Sequence, residues 1–369
     1  MKFHSLLATT VSAAALLTPI APSYADALSD LAAAATKEGQ LTVIALPHDW
    51  CGYGAVIDAF KKQYPGITVN ELNPDAGSGD EVQAIIANKG NTGPQAPDVI
   101  DVGLSFGPTA KTQGLIAPYK VSTWDSIPAA AKDADGYWYG DYYGVLSFLV
   151  NDDIVKTAPK TWADLQKSDY ANAVALSGDP RVANQAIQAV YAAGLSTGAA
   201  GGAAAGTAGL AFFSKLNKAG NFVPVIGKAA PLAQGTTPIV TTWDYNALAW
   251  KDGFAGNPKS EVVVPADGVV AGVYIQAISA FAPHPNAAKL WLEHLYSDEG
   301  QIGWLKGYCH PIRFNNLVET KKAPADVLAA LPPAESYAKA KFPTLDEQKA
   351  AKEVIAKQWD AVVGATVAK

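Results

Sequence analysis

Apolar residues along this chain occur in two alternating patterns, short continuous runs and longer stretches with helical spacing. In residues 54–64 the helical spacing puts Ile57 and Phe60 on one face, and Pro65 ends the helix. The continuous runs, which predict buried strands, are 41–46, 67–72 and 97–102. Strands that alternate with helices of about 10–15 residues predict an α/β fold with a parallel sheet.

The same alternation restarts after residue 145. Predicted strands are 174–176, 239–242, 261–265 and 272–280, and predicted helices are 184–193 and the region from Asn286 to the end. Residues 197–208 are rich in alanine and glycine and carry no charge. We interpret them as a flexible connection into a helix at Leu210, because such a composition is typical of linkers.

The first residues have the order of a secretory signal. Lys2 gives a positive start, residues 6–17 are apolar, and small residues around Ala25 fit signal-peptidase cleavage. A membrane span needs about 20 apolar residues, which is more than this stretch offers. We therefore predict that residues 1–25 are a signal peptide and that the protein is exported to the periplasm.

Composition narrows the possible partners and supports the compartment. The chain has 28 Lys and Arg against 34 Asp and Glu, so nucleic acid is not expected to bind. Its 369 residues, 49% of them hydrophobic, allow two domains of about 150 residues each. In an oxidising compartment Cys51 and Cys309 are a candidate disulfide, with two separate buried thiols as the alternative.

Seven short phrases in a fixed order carry a family resemblance. They are PDV at 97–99, GYWYGDYYG at 136–144, PKTWADL at 159–165, SGDPR at 177–181, PNAAKLWLEHL at 285–295, SDEGQ at 297–301 and GYCHPIR at 307–313. The set resembles the extracellular solute-binding proteins of ABC importers, nearest to the branch of ferric-iron, polyamine and γ-aminobutyrate receptors. The resemblance covers nearly the whole chain after the signal.

This resemblance implies a type II periplasmic-binding-protein fold, in which two α/β domains enclose the solute and the chain crosses the hinge between them. By analogy, one domain holds residues 26–143 and 264–316, and the other holds 144–263 and 317–369. The resemblance further implies a small-molecule solute, an ABC permease in the inner membrane as partner, a monomer, and neither a cofactor nor enzymatic activity. Ligands of open α/β sheets bind at strand ends, which agrees with such a cleft.

Two loops at predicted strand ends combine aromatic rings with a carboxylate. They contain Asp49, Trp50 and Tyr53 after the first strand, and Trp243, Asp244 and Tyr245 after the strand at 239–242. Rings and a carboxylate bind an ammonium group through cation–π contact and charge-assisted hydrogen bonds. The alternative is that the tryptophans pack in the cores and each aspartate caps the next helix.

Other polar residues are candidates for the opposite end of a solute. Arg181 beside a helix start suits a carboxylate, although a salt bridge to Asp179 would also explain it. Ser78 can donate to an anion or, like Asp80, cap a helix that begins at Glu81. With Asp179 and Tyr142 as further cleft residues, the sequence predicts a small zwitterion, either γ-aminobutyrate-like or an amino acid.

Two interpretations of other motifs compete with this one. Residues 103–107 match the G-x-S-x-G hydrolase elbow, with Ser105 as nucleophile and His284, His294 or His310 downstream. We retain Ser105 as a ligand-contact candidate, because so short a pattern arises easily among 32 glycines.

Iron or a polyamine is the other alternative solute. The pair Tyr142 and Tyr143, with His48 or Asp49, superficially fits a ferric receptor. The iron-binding tyrosines of the family lie later, where this chain has Trp243 instead, and indoles do not suit a hard cation. A ferric-iron or polyamine receptor of the same fold therefore stays the alternative to a zwitterion receptor.

Overall fold

The structure is a computed structural model that describes residues 24–331 and 339–368. Its strands are β1 (Gln40–Ile44), β2 (Thr68–Leu72), β3 (Val99–Gly103), β4 (Ile116–Ala117), β5 (Tyr139–Asn151), β6 (Val174–Leu176), β7 (Ile239–Trp243), β8 (Ser260–Val263), β9 (Ala271–Ser279) and β10 (His310–Pro311). Its helices are α1 (Tyr24–Glu38), α2 (Tyr53–Gln63), α3 (Ser78–Ala87), α4 (Gly107–Thr112), α5 (Asn184–Ser196), α6 (Ala203–Lys218), α7 (Ala229–Ala233), α8 (Asp244–Gly253), α9 (Pro285–Tyr296), α10 (Asp298–Lys306), α11 (Phe314–Glu319), α12 (Ala325–Ala329) and α13 (Leu345–Val363). The predicted strands and helices therefore correspond to observed ones, with ends that differ by a few residues.

The sheets are mixed, so the prediction of a purely parallel sheet is wrong. β1 pairs with β2 in parallel, and so does β6 with β7. The larger sheet has the order β3-β9-β5-β7-β6, and within it β5 and β9 run antiparallel to their neighbours. Both strands pair with strands that are distant in the chain, and these pairings are antiparallel, whereas β6 and β7 keep the parallel pairing that a βαβ crossover produces.

Strand β5 passes from one half of the molecule to the other. Residues 139–145 pair with β9, and residues 146–150 pair with β7. A Cβ atom on Gly144, at this passage, would lie 2.5 Å from Asp244 Oδ1, so only glycine fits there. We call the elements around β1–β4, α1–α4 and α9–α11 lobe 1, and those around β6–β8, α5–α8 and α13 lobe 2. The domain boundaries inferred from the family resemblance remain a prediction.

The alanine- and glycine-rich segment is a close helix contact rather than a flexible connection. Helix α6 already begins at Ala203 and packs against α5. A Cβ atom on Gly194 would lie 1.9 Å from the carbonyl oxygen of Ala205, and one on Gly209 would lie 1.9 Å from that of Val190. The absence of larger side chains therefore lets the two backbones touch, and the linker interpretation of residues 203–208 is wrong.

Helix α2 presents the predicted apolar face to the core, and the predicted disulfide ties down the loop that precedes this helix. Ile57 and Phe60 are buried. Cys51 and Cys309 are bonded, with their Cα atoms 5.3 Å apart and both residues fully buried. The disulfide prediction is confirmed, and the bond joins the loop after β1 to the residue before β10.

The amino-terminal segment can be described only from its end. The predicted signal peptide lies outside the described residues, except for Tyr24 and Ala25 at the start of α1. Within residues 24–331 and 339–368, every helix is too short or too polar to cross a bilayer.

Candidate functional site

A cavity of about 320 Å³ lies between the two lobes. Lobe 1 contributes the loop after β1, the start of α3 and Asp101 in the middle of β3, while lobe 2 contributes the loop before α5, the segment before α7 and one face of α8. A larger depression of about 610 Å³ is bordered by α8, β8 and the residues that follow α12, and half of its lining residues are valines and lysines. We take the smaller cavity as the candidate site, because it gathers strand ends and helix starts from both lobes.

Asp101 is the buried charge of this cavity. It follows the apolar residues Val99 and Ile100 on β3, is 5% exposed and lines the cavity wall. Its Oδ2 atom accepts hydrogen bonds from the hydroxyls of Tyr53 at 2.6 Å and Tyr142 at 2.7 Å. Burial raises the pKa of Asp101 to about 6. The hydrogen bonds that Asp101 accepts favour its ionised form and oppose this rise. In the described part of the chain no lysine, arginine or histidine pairs with it.

Two further carboxyl groups lie directly behind Asp101. Asp141 is hydrogen-bonded to the Asp101 side chain and accepts the N–H of Tyr142 at 2.6 Å. Glu81, on α3, accepts the backbone N–H of Asp101 at 2.8 Å. Burial, followed by the nearby charge of Asp101, raises the pKa of both Asp141 and Glu81 well above its ordinary value. We call Glu81, Asp101 and Asp141 the acidic cluster, and Asp101 is its most acidic member.

Three aromatic rings border the cavity beside Asp101. The indole N–H of Trp50 donates to the Tyr142 hydroxyl at 2.7 Å, and Trp50 meets Tyr274 edge-on with ring centres 5.3 Å apart. The rings of Tyr142 and Tyr274 stack with their centres 5.6 Å apart. We call Trp50, Tyr142 and Tyr274 the aromatic cage. Its rings and the Asp101 carboxylate together form surroundings that stabilise an organic cation.

The starts of two helices also line the cavity. Ser78 is the first residue of α3, and its Oγ atom accepts the N–H of Gly103 at 3.1 Å, which leaves its own proton available. Asn184 is the first residue of α5, and both residues line the cavity and are buried. Helix starts carry N–H groups without intrahelical partners, which stabilise negative charge. Ser78 is thus a helix residue rather than the predicted cap, because α3 begins three residues earlier than expected.

Contacts between the lobes close the cavity. Lys228 of lobe 2 forms an ion pair with Asp75 of lobe 1. The indole N–H of Trp250 donates to Asp49 at 2.8 Å, and the N–H of Gly79 donates to the carbonyl oxygen of Val182 at 3.1 Å. The structure therefore represents a conformation in which the two lobes touch.

The first predicted loop reaches the site. Asp49 and Trp50 line the cavity, although the Asp49 carboxylate is occupied by Trp250. Tyr53 is fully buried and contributes through its hydrogen bond to Asp101.

The second predicted loop lies behind the cavity wall. Trp243 and Tyr245 are fully buried, and the Trp243 ring packs over Gly272, where a Cβ atom would lie 2.1 Å from the indole. Asp244 accepts the N–H of Val145 at 3.0 Å and borders the larger depression. Of this region, Asn246 and Trp250 line the inter-lobe cavity instead.

The structure places Arg181 outside the cavity lining. Its guanidinium group forms an ion pair with Asp179 at 2.6 Å and a second one with Asp360 at 3.2 Å. Asp179 itself lines the cavity, and Arg181 neutralises it from behind. This is the salt bridge that the sequence left open as the alternative to a ligand contact.

Ser105 has no histidine beside it. It is buried in a 3-10 turn after β3, does not line the cavity, and its carbonyl oxygen accepts Lys352 Nζ at 3.3 Å. The downstream histidines contact other groups: His284 contacts Asp98, His294 contacts Val56 and Gln63, and His310 stacks on Tyr143. The described residues thus do not assemble a nucleophile–base pair at Ser105.

Tyr142 and Tyr143, the predicted tyrosine pair, lie on opposite faces of β5. Tyr142 faces Asp101, whereas Tyr143 stacks on His310 with ring centres 5.1 Å apart, because neighbouring residues of a strand point to opposite faces. Among the described residues, no group of three His, Cys, Asp or Glu side chains has a metal-binding arrangement.

Sequence reasoning missed the acidic cluster and Tyr274. Residues 97–102 were interpreted as an apolar strand, yet they contain Asp101, and a carboxylate inside a buried strand is itself a signal of a site. Asp141 was visible in GYWYGDYYG but was assigned no role.

Comparison with known proteins agrees with this geometry. The fold and the inter-lobe cavity define a two-lobed solute-binding protein. Residues 95–350 match the model of the family described as bacterial extracellular solute-binding protein, and the chain belongs to that family.

Relatives and solved structures give the same class. The chain is 28% identical over 260 residues, 68% of this chain and 70% of the relative, to a putative 2-aminoethylphosphonate-binding periplasmic protein of Salmonella typhimurium. It resembles the periplasmic binding protein AfuA from Actinobacillus pleuropneumoniae, at TM-score 0.67, 22% identity and coverage of 88% and 98% of the two chains. It also resembles the Atu4243 GABA receptor, at TM-score 0.61, 16% identity and coverage of 88% and 99%. These findings confirm the predicted class, a periplasmic solute-binding protein of an ABC importer with a type II fold.

Proposed function

We propose that this receptor captures a small zwitterionic solute whose ammonium group binds Asp101 inside the aromatic cage. The observation that carries the proposal is a buried carboxylate that lines a cavity and has no cationic side chain as its partner among residues 24–331 and 339–368. An unpaired buried charge costs several kcal/mol, and a cationic ligand removes that cost. Asp101 thereby takes the role that the sequence assigned to Asp49 or Asp244.

The anionic end of the solute fits the two helix starts better than it fits Arg181. Ser78 and Asn184 start helices of 10 and 13 residues, and each brings a polar side chain. Helix α5 adds the N–H groups of its first turn, which lack intrahelical partners, whereas at the start of α3 the N–H groups of Gly79 and Asp80 already donate to Val182 and Gly77. The relatives named for 2-aminoethylphosphonate and the receptor named for GABA point to solutes that combine an ammonium with an anionic group. A cavity of about 320 Å³ suits a compact solute of this kind.

A polyamine is the second candidate, because carboxylates outnumber cations around the cavity. Besides Asp101, the lining contains Asp49, Asp75, Asp80, Glu81 and Asp179. Asp75 and Asp179 pair with Lys228 and Arg181, and Asp49 and Asp80 accept the N–H groups of Trp250 and Gly77. Glu81 accepts the backbone N–H of Asp101, and burial raises the pKa of Glu81 well above its ordinary value, which disfavours its anionic form. We therefore favour one ammonium group over two.

Transport follows from closure of the lobes over the solute. Closure removes the ammonium from water and strengthens its attraction to Asp101. The closed monomer then docks on the permease, and β5 and β9 bend between the predicted domains (26–143 with 264–316, and 144–263 with 317–369). In this proposal no residue is catalytic, and Ser105 contributes packing.

Titration calorimetry with 2-aminoethylphosphonate, γ-aminobutyrate and putrescine tests the assignment. Asp101→Asn keeps the shape of the side chain but removes its charge, so binding of the preferred amine should weaken by about 2–5 kcal/mol. The matched control is Asp244→Asn, a buried aspartate outside this cavity, which should leave the affinity unchanged. Wild-type affinity in Asp101→Asn, or tighter binding of an amine-free solute, would refute the proposal.

A further inference from the structure

In the described part of the chain, three carboxyl groups share one buried site, and no basic side chain is among the groups that face them. These groups are Tyr53 of α2, Asp80 of α3, Tyr142 of β5, Tyr245 of α8, Gln276 and Tyr274 of β9, and Tyr296 of α9. Their hydroxyl and amide groups can donate hydrogen bonds to a single carboxylate. They cannot neutralise three charges, since burial disfavours each additional charge.

Hydrogen bonds connect the cluster to the cavity wall. Asp101 faces both the cavity and Asp141, and its Oδ1 atom is fully buried and accepts no N–H or tyrosine hydroxyl of the described residues. Gln276 Nε2 donates to Asp141 Oδ2 at 3.2 Å and to the Tyr53 hydroxyl at 3.0 Å. Asp141 does not line the cavity, so it can act on a solute only through Asp101.

We propose that ammonium binding at Asp101 is coupled to release of a proton from the cluster of Glu81, Asp101 and Asp141. This inference rests on the proposed function and adds its regulation. In the free receptor the cluster retains the protons that burial requires. When a permanent positive charge arrives beside Asp101, the ionised form of that carboxylate becomes the stable one, and its proton passes to solvent. Asp141 is a positioning residue, because its protonated carboxyl donates to the Asp101 oxygen and favours ionisation there.

The direction of the pH dependence follows from the raised pKa of Asp101, about 6, which burial causes. Below this pH, Asp101 in the free receptor is protonated and must lose the proton before it can bind an ammonium. Affinity should therefore fall about tenfold for each pH unit below about 6 and level off above pH 7. The folding stability of the free receptor changes with pH in the opposite direction to its affinity. Its folded state holds a proton that the unfolded chain has already lost, so this contribution to stability is lost as pH rises through about 6.

The binding experiment uses γ-aminobutyrate as probe, because its amine and carboxylate do not titrate between about pH 5.5 and 8. Calorimetry in two buffers of different ionisation enthalpy should show proton release near pH 6 and almost none at pH 8. Asp141→Asn retains a hydrogen-bond donor beside Asp101. It should therefore keep the pH midpoint at which affinity is lost on acidification. Asp141→Leu removes the donor and should move the midpoint to higher pH. A merely structural role of Asp141 predicts the same midpoint in both variants.

A second measurement needs no ligand. The melting temperature of the free receptor between pH 5 and 8 should fall more steeply in wild type than in Asp101→Asn, which cannot titrate. Equal pH dependence of the two proteins overturns the inference. So does γ-aminobutyrate binding that is independent of pH and releases no proton, and in that case the proposed function stands. Failure of all amines to bind at any pH refutes the proposed function instead, while the ligand-free comparison still decides whether the cluster holds the proton.

Discussion

The two predicted loops, one after β1 and one where β7 runs directly into α8, both combine aromatic rings with an aspartate, yet only the first lines the cavity with its indole and its aspartate. Trp50 in the first loop is only partly buried, lines the cavity and donates to Tyr142. Trp243 in the second loop is fully buried over Gly272. The carboxylates differ as well, since Asp49 accepts the indole N–H of Trp250 from the other lobe whereas Asp244 accepts the N–H of Val145 on β5.

The difference shows what makes an aromatic residue part of a binding site. Gly272 pairs with Gly144 where β5 passes between the lobes, and it leaves room for the second indole, so that ring packs at this passage. The first indole is anchored by the neighbouring disulfide and by Tyr142, and it lines the cavity. An aromatic ring binds ligand when the fold leaves one face of it unpacked.

The largest effects are expected when each of the two tryptophans is replaced by alanine. One replacement should reduce folding stability and the other should reduce solute affinity. Trp243→Ala removes a fully buried ring and should lower the free energy of unfolding by about 3–5 kcal/mol. Trp50→Ala should instead weaken amine binding by about 1–2 kcal/mol, because it removes a cation–π face. Urea denaturation and calorimetry on both variants measure the two effects. If Trp243→Ala impaired binding more than folding, the second loop would belong to the site after all.

Removal of the disulfide tests whether the first loop depends on its covalent anchor. The bond closes a loop of 258 residues, and Cys51→Ser with Cys309→Ser should lower the free energy of unfolding by about 2–4 kcal/mol. Amine affinity should also fall, since Trp50 is the residue before Cys51 and loses its tether. Denaturation of the oxidised wild type and the double variant gives the comparison. Unchanged affinity would mean that the Tyr142 hydrogen bond alone positions the indole.

Arg181→Ala should have the smallest effect. Its ion pairs with Asp179 and Asp360 are partly exposed, so stability should change by no more than about 1 kcal/mol. Amine affinity should stay the same, because the guanidinium does not line the cavity. Titration calorimetry measures the amine affinity of Arg181→Ala. Lys228→Ala is measured beside it as a control, because Lys228 is a cation that lines the cavity. Strong loss of binding in Arg181→Ala alone would restore the arginine as the partner of the anionic end.

Local patterns predicted the strands and helices well, because alternation and apolar spacing reflect burial within one element. They failed at residues 203–208, where glycine and alanine were interpreted as a linker although they allow α5 and α6 to touch. Composition alone does not distinguish a segment that lacks contacts from one whose small residues permit close contacts. The direction of β5 and β9 was missed for a similar reason, since strand pairing depends on partners 89 or more residues away in the chain.

By itself the sequence determined the α/β class, the family and the periplasmic location, because ordered motifs and composition carry these properties, whereas it left open whether Cys51 and Cys309 are bonded. Only the tertiary structure decided which loop faces the cavity, that Arg181 is held by Asp179 and Asp360, and that Asp101 meets Tyr53, Tyr142 and Asp141. The physical reason is that the charge and accessibility of a side chain depend on burial and on hydrogen-bond partners. For Asp101 those partners come from α2 and β5, about 40 to 50 residues away on either side of the chain, and packing alone brings them together.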